Sequence, residues 1–144
     1  MTHVLLEESV VRYASPRHVD SGRVLGGAFV SRPNDPTLSV NRLAVFGDEV
    51  EAAMAIIRHR SRLKIKPTGR YAEISVKEIV EALSDVQELQ ALQVLEDALE
   101  ATVDFSADPS HAFITGLPND SGPMAELCGD ILSKKVSRIH RAIL

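Results

Sequence analysis

The chain has 144 residues, of which 44% are hydrophobic and 25% are charged, the proportions of one ordinary globular domain. The apolar fraction is too high for an intrinsically disordered chain, and no run approaches the roughly 18 apolar residues that cross a membrane. Cys128 is the single cysteine, which excludes an intramolecular disulfide, and acids at positions 7 and 8 argue against a signal peptide, so we expect a cytoplasmic protein.

Charge is distributed unevenly along the chain, although the formal net charge is only −4. Residues 12–70 contain 11 Lys and Arg against 5 Asp and Glu, whereas residues 71–100 contain 8 acids and one lysine. A chain divided in this way can present a positive surface beside a negative one, and a positive surface attracts phosphate and other anions. The two segments can equally neutralise each other in the folded protein.

The first half of the chain has the pattern of β-strands. A β-branched run at 9–14 predicts the first strand, and apolar runs at 24–30 and 37–43 predict a hairpin. Gly26 and Gly27 allow a bulge or a close approach of another backbone within the second of these runs.

Helical spacing of apolar residues predicts a helix at 49–60, and a Ser-x-x-Glu capping box starts a second helix at 76–83. Leucines separated by acids at 87–99 favour a third helix, with a strand at 90–95 as the alternative.

The remaining segments complete the predicted fold. Alternating basic residues predict a strand at 60–66, and short apolar runs predict strands at 71–74 and 112–115. An apolar stripe at helical spacing predicts a long C-terminal helix at 123–142. We therefore expect a single α+β domain over residues 1–144, in which helices pack on one face of a small, mostly antiparallel sheet.

The positive first half of the chain is rich in residues that bind anions. Arginine offers planar, bidentate donors to carboxylate and phosphate, so an anion is the natural ligand. The alternative is that these arginines lie on solvent faces and form weak pairs with the acids of 71–100. The residues predicted to bind the ligand are Arg12, Arg17, Arg23, Arg32, Asn41 and Arg42.

His18, Asp20 and Arg23 are candidate catalytic residues for a small enzyme that acts on a nucleotide or a similar anion. In an enzyme, His18 and Asp20 should converge in a cleft beside Arg23, whereas a binding module leaves them apart. The order of an early arginine, a Gly-Arg turn and a serine-bearing strand is loosely that of small ADP-ribosyl-transferring toxins. We do not treat this order as a family resemblance, and such chemistry is held in reserve because its acidic catalytic residue has no evident position.

A second cluster of basic residues contains no acid and favours contact with a nucleic-acid backbone. It also contains no aromatic residue on which bases could stack, so it does not suggest sequence-specific recognition. Cations at a helix C-terminus and on a protected edge strand are the simpler explanation. This predicted basic patch comprises Arg58, Arg60, Arg62, Lys64 and Lys66.

No metal or cofactor is expected, because the five histidines lack the paired spacings of zinc sites. The charge pattern without a complete catalytic motif favours a non-catalytic interaction module that binds a protein partner or a phosphate-bearing ligand through its arginine-rich first half. The stripe of the predicted C-terminal helix, extended by Ile139 and Ile143, also suggests a homodimer interface.

Overall fold

The computed structural model describes residues 2–61, 65–84, 86, 92–120 and 122–143. The strands in these ranges are β1 (Ser9–Ala14), β2 (Val19–Asp20), β3 (Arg23–Val24), β4 (Thr37–Arg42), β5 (Arg70–Ser75), β6 (Gln93–Glu96), β7 (His111–Thr115) and β8 (Arg138–Arg141). The α-helices are α1 (Val50–Arg60), α2 (Val76–Ala82) and α3 (Pro123–Ser133), and short 3₁₀ helices lie at Pro16–His18, Gly26–Phe29 and Ala44–Phe46. Within the described ranges, every helix is too short or too polar to cross a membrane.

Six strands form one antiparallel sheet in the order β6-β7-β4-β1-β5-β8, and β2 and β3 form a separate ribbon. This arrangement confirms a mixed α and β structure with an antiparallel sheet. The outer edge of β6 is covered by the start of the chain, because the Val4 amide donates to the Val94 carbonyl (2.9 Å) and the Glu96 amide donates to the Thr2 carbonyl (2.8 Å). An edge covered in this way is protected from pairing with another chain.

The helices pack on both faces of the sheet, so the prediction that they share one face is wrong. Val10 of β1 faces a core that includes Ile79 of α2 and Leu132 of α3. Its neighbour Val11 faces the opposite way and packs against Ala53 of α1. Successive strand residues point to opposite faces, so an apolar pair such as Val10 and Val11 requires cover on both sides.

The predicted long C-terminal helix is also wrong. Helix α3 ends at Ser133, and Arg138–Arg141 forms β8, which pairs with β5. Apolar residues at 136, 139 and 143 fit helical spacing, but the unpaired backbone groups of β5 are satisfied only when this segment is extended. The helix on which a homodimer interface was predicted therefore does not exist in this form.

The predicted strand at 24–30 is replaced by the 3₁₀ helix Gly26–Phe29, and β4 pairs with β1 and β7 instead of forming the predicted hairpin. This 3₁₀ helix packs closely on α3, because an added Cβ on Gly129 would meet the carbonyl oxygen of Gly26. The close backbone approach predicted at the glycine pair is thus confirmed, although it occurs against a helix.

The helices predicted at 49–60 and 76–83 are confirmed as α1 and α2, and the hydroxyl of Ser75 accepts from the amide of Glu78 (3.1 Å). A helix was also predicted at 87–99, with a strand at 90–95 as the alternative. Residues 87–91 lie outside the described residues, and 93–96 form the strand β6, which agrees with the alternative. Arg60 of the strand predicted at 60–66 belongs to α1 instead.

Strands β1 and β4 diverge, and an arginine side chain fills the gap between them. Their ladder ends at the pair Val11–Asn41. Beyond it, the Nε of Arg12 donates to the Ala28 carbonyl (2.6 Å) and its Nη1 donates to the Ser39 carbonyl (2.7 Å). One guanidinium therefore joins β1, β4 and the 3₁₀ helix while leaving the sheet open at this point.

Replacing Arg12 by methionine should lower the free energy of unfolding by about 1–3 kcal/mol, because two carbonyl oxygens lose their donor. Urea denaturation measures this change. Arg23→Met, which removes an exposed arginine of the β2–β3 ribbon, should change the free energy of unfolding by no more than about 0.5 kcal/mol. Equal effects of the two substitutions would contradict a structural role for Arg12.

Gly129→Ala should destabilise the fold by about 1–3 kcal/mol, the usual cost of overpacking, because the new Cβ meets backbone atoms of Gly26 that cannot rotate away. Gly122→Ala is the matched control, since its Cβ would meet only the flexible carboxylate end of Asp120, at 3.2 Å. Thermal unfolding of the two variants checks the difference. Equal melting temperatures would show that α3 can move away from the 3₁₀ helix.

Candidate functional site

Several of the residues predicted to bind an anion lie together in a cleft of about 460 Å³, which we call the arginine cleft. β1 supplies one wall, and the 3₁₀ helices around it supply the others. The fold thus brings together three of the predicted ligand-binding arginines and one predicted catalytic residue. The polar residues that line this cleft are Arg12, Arg17, His18, Ser31, Arg32 and Glu126.

The arginines of this cleft form no ion pair with a carboxylate among the described residues, although the charge of Arg32, after the hydrogen bonds from Thr37, helps to lower the pKa of the nearby Asp35. Among the arginines of the described residues, those that form ion pairs with carboxylates are Arg42 and Arg58. Arg12, Arg17 and Arg32 take part in none of these pairs. The cleft does contain the exposed carboxylate of Glu126, but the three guanidinium groups outnumber it. The arginine cleft therefore carries excess positive charge.

The pKa values in the cleft reflect this crowding of cations. Burial, together with the charge of Arg32, lowers the pKa of Arg12 to about 10. Burial and the charges of Arg17 and Arg12 likewise lower the pKa of His18, which favours its neutral form near pH 7. An anion in the cleft would oppose both shifts, because it stabilises each protonated form.

The structure does not bring the three candidate catalytic residues into one cleft. Asp20 and Arg23 are opposite each other in the β2–β3 ribbon, and Arg23 lines a different cleft from His18. In the described part of the chain, no hydrogen bond joins His18 to Asp20. Arg42, a predicted ligand-binding residue, is instead held by Glu8, with Nε at 2.9 Å from Oε1.

A second cleft of about 720 Å³, which we call the polar cleft, lies on the face of the sheet that α1 partly covers. Its walls combine apolar side chains with charged and hydrogen-bonding groups. The loop 99–108 forms the outer wall, and β4 and β7 form the floor. Its lining includes Ser39, Asn41, Arg60, Phe105, Asp108 and His111.

The floor of the polar cleft contains a buried hydrogen-bond network. The Nδ2 of Asn41 donates to Asp108 Oδ2 and to Ser110 Oγ, both at 2.8 Å, and Ser110 Oγ donates to Asp108 Oδ1 at 2.6 Å. All three residues are buried. Both amide hydrogens of Asn41, a predicted ligand-binding residue, are therefore used to hold loop 99–108 against the sheet.

His111 and Asp97 form a pair at the edge of the polar cleft. The Nδ1 of His111 lies 3.1 Å from both the main-chain carbonyl oxygen and the Oδ2 of Asp97. Because both partners are acceptors, Nδ1 carries the hydrogen, and Nε2 of the neutral ring is an acceptor. Sequence reasoning missed this pair, because only the pairing of β6 with β7 brings the two residues together.

Three members of the predicted basic patch, Arg58, Arg60 and Lys66, lie among the described residues. Arg58 forms an ion pair with Glu51 (2.7 Å). Arg60 lies over the ring of Phe105, with its Cζ at 5.5 Å from the ring centroid, and donates to a loop carbonyl. Lys66 lies in the turn before β5, where its amide donates to a tyrosine hydroxyl. Outside the described residues are Arg62 and Lys64.

The two clefts are connected through the gap between β1 and β4. An intermediate cleft of about 360 Å³ shares Arg12 and Arg32 with the arginine cleft. It also shares Ser39 and Asn41 with the polar cleft. The three clefts therefore adjoin one another along this gap, where the Arg12 side chain bridges the strands, and we call the three together the groove.

Metal-binding and thiol chemistry have little support among the described residues. Among the described residues, no group of three His, Cys, Asp or Glu side chains is placed to hold a metal ion. The thiol of Cys128 is buried, which raises its pKa and disfavours the nucleophilic thiolate.

Comparisons with protein-family models, with curated proteins and with solved structures found no match for this chain.

Proposed function

We propose that this protein binds a phosphate-bearing ligand whose anionic group is held in the arginine cleft by Arg12, Arg17 and Arg32. The observation that carries the proposal is the environment of the Arg12 guanidinium. Its acceptors are two main-chain carbonyl oxygens, and burial followed by the charge of another arginine, Arg32, lowers its pKa. A phosphate group would supply the negative charge that this arrangement lacks.

Two neighbouring groups support phosphate as the anion. The hydroxyl of Ser31 is buried and has no hydrogen-bond partner among the described residues, and a buried polar group without a partner costs free energy. His18 lines the same cleft and becomes a cationic donor when it is protonated. Phosphate oxygens can accept from a hydroxyl, an imidazolium and several guanidinium groups at once.

The positions of the candidate catalytic residues favour binding over catalysis at this cleft. An enzyme of the kind suggested by the sequence needs His18, Asp20 and Arg23 together, and they line separate parts of the surface. A protein partner, the other ligand class that the sequence suggested, would need only an open surface. The enclosed position of Arg12 favours a small ligand instead.

The substitutions Arg17→Ala and Arg32→Ala should each weaken the binding of inorganic phosphate about tenfold or more, because a hydrogen bond to a charged group contributes about 1.5–3 kcal/mol. NMR titration at fixed ionic strength measures the dissociation constants. Arg23→Ala removes the same charge outside the cleft and should change the dissociation constant less than twofold. The proposal fails if the wild-type protein does not bind phosphate, or if all three substitutions weaken binding equally.

The stability of the ligand-free protein should fall as the pH is lowered below about 6.5, the ordinary pKa of histidine, because His18 has a lowered pKa in the fold. The unfolded chain takes up the proton before the folded protein does, which favours unfolding in that range. Between pH 7.5 and 5.5, the melting temperature of the wild type should fall more than that of His18→Gln, which has no titrating group at this position. Sulfate should reduce the fall in the melting temperature of the wild type at low pH. Parallel curves of melting temperature against pH for the two proteins would contradict the assignment of this effect to His18.

A further inference from the structure

We infer that the ligand is a phosphate ester of nucleoside size, whose organic part lies in the polar cleft and donates a hydrogen bond to His111. This inference rests on the proposed function, since the phosphate group must first bind in the arginine cleft. The inference adds the chemical class of the ligand and states which end of the ligand lies in which cleft.

The adjacency of the three clefts gives the first step. Arg12 and Arg32 line both the arginine cleft and the intermediate cleft, while Ser39 and Asn41 line both the intermediate and the polar cleft. The cleft that would hold the phosphate therefore adjoins the intermediate cleft, which in turn adjoins the polar cleft that His111 lines. Inorganic phosphate alone would leave the intermediate cleft and the polar cleft empty of ligand.

The chemistry of the polar cleft gives the direction of the ligand. Asp104 and Asp108 line this cleft, and Asp97 contacts His111 at its edge. Arg60 also lines this cleft, but the three carboxylates outnumber its charge and so disfavour a second anionic group there. The neutral end of the ligand belongs in the polar cleft, and the phosphate belongs at the other end of the groove.

His111 provides a specific acceptor for that neutral end. Its side chain is 16% exposed, and its Nδ1 hydrogen is held by Asp97. In the neutral ring, this contact selects the tautomer whose Nε2 is an acceptor. A hydroxyl or ring N–H of the ligand can donate to this nitrogen, and a sugar or a heterocycle carries such donors.

The size and rigidity of the polar cleft fit a ring system. Its volume of about 720 Å³ lies in the range of small-molecule sites, which combine apolar walls with a few placed polar groups. Phe105, Ile57 and Leu99 supply the apolar surface. The hydrogen bond from Asn41 to Asp108 fixes the wall before the ligand arrives, which reduces the entropic cost of binding.

The test compares ligands that carry the same phosphate group but differ in the organic part. Inorganic phosphate, ribose 5-phosphate and the 5′-monophosphates of adenosine, guanosine, cytidine and uridine are titrated into the full chain by NMR. At least one nucleoside monophosphate should bind ten times more tightly than inorganic phosphate, and ribose 5-phosphate should show an intermediate affinity. A ratio below threefold for every monophosphate would overturn the inference.

Two variants then locate the organic part of the ligand. His111→Phe keeps a ring but removes the acceptor, and Ser39→Tyr narrows the groove from an exposed strand position, so a folding defect in one variant leaves the other informative. Each should remove most of the tenfold gain, and His111→Phe, whose site lines neither the arginine cleft nor the intermediate cleft, should also change the dissociation constant of inorganic phosphate less than twofold. His140→Phe is the matched control, because His140 is also paired with a carboxylate, Glu73 (2.9 Å), but lies outside the groove.

The outcomes separate the inference from the function on which it rests. If the wild type binds no phosphate, the proposed function itself fails. If phosphate binds but the monophosphates gain nothing, only the inference fails. If the gain persists in both His111→Phe and Ser39→Tyr, or is lost equally in His140→Phe, the organic part does not lie in the polar cleft and the inference is overturned.

Discussion

The guanidinium of Arg12, held between the carbonyl oxygens of Ala28 and Ser39, is the interaction on which the rest of the groove depends. In a regular sheet, backbone amides would satisfy such carbonyls, and β1 and β4 would lie side by side without an opening. An arginine side chain makes equivalent hydrogen bonds across a wider gap. It also places a positive charge at that gap. Arg12 therefore bridges the separated strands and makes the gap favourable for an anion.

Because helices pack on both faces of the sheet, the gap at Arg12 has a cleft on each side. Strand β1 has apolar side chains on both faces, so α1 covers one face while α2 and α3 cover the other. Neither layer covers the sheet completely, and a cleft remains on each side. Because the gap at Arg12 lies between the two clefts, a ligand can contact residues from both layers, although the sheet would otherwise separate them.

Local features of the sequence predicted the elements that depend on local interactions. Helix α2 begins where Ser75 caps it, and three of the five arginines that the charge pattern singled out, Arg12, Arg17 and Arg32, share a cleft. The pair of His111 and Asp97 could not be predicted, because it depends on the register of β6 against β7. The same reason applies to β8, whose residues also fit helical spacing and become a strand only because β5 lies beside them.

The position of the amino-terminal residues has a practical consequence for the polar cleft. Thr2 and Val4 hydrogen bond to β6, which ends one residue before Asp97. Proteolytic trimming or a bulky affinity tag at this end would loosen the strand that orients the imidazole of His111, although neither change touches the groove itself. The integrity of the first four residues should therefore be verified by intact-mass spectrometry before the proposed phosphate binding is measured.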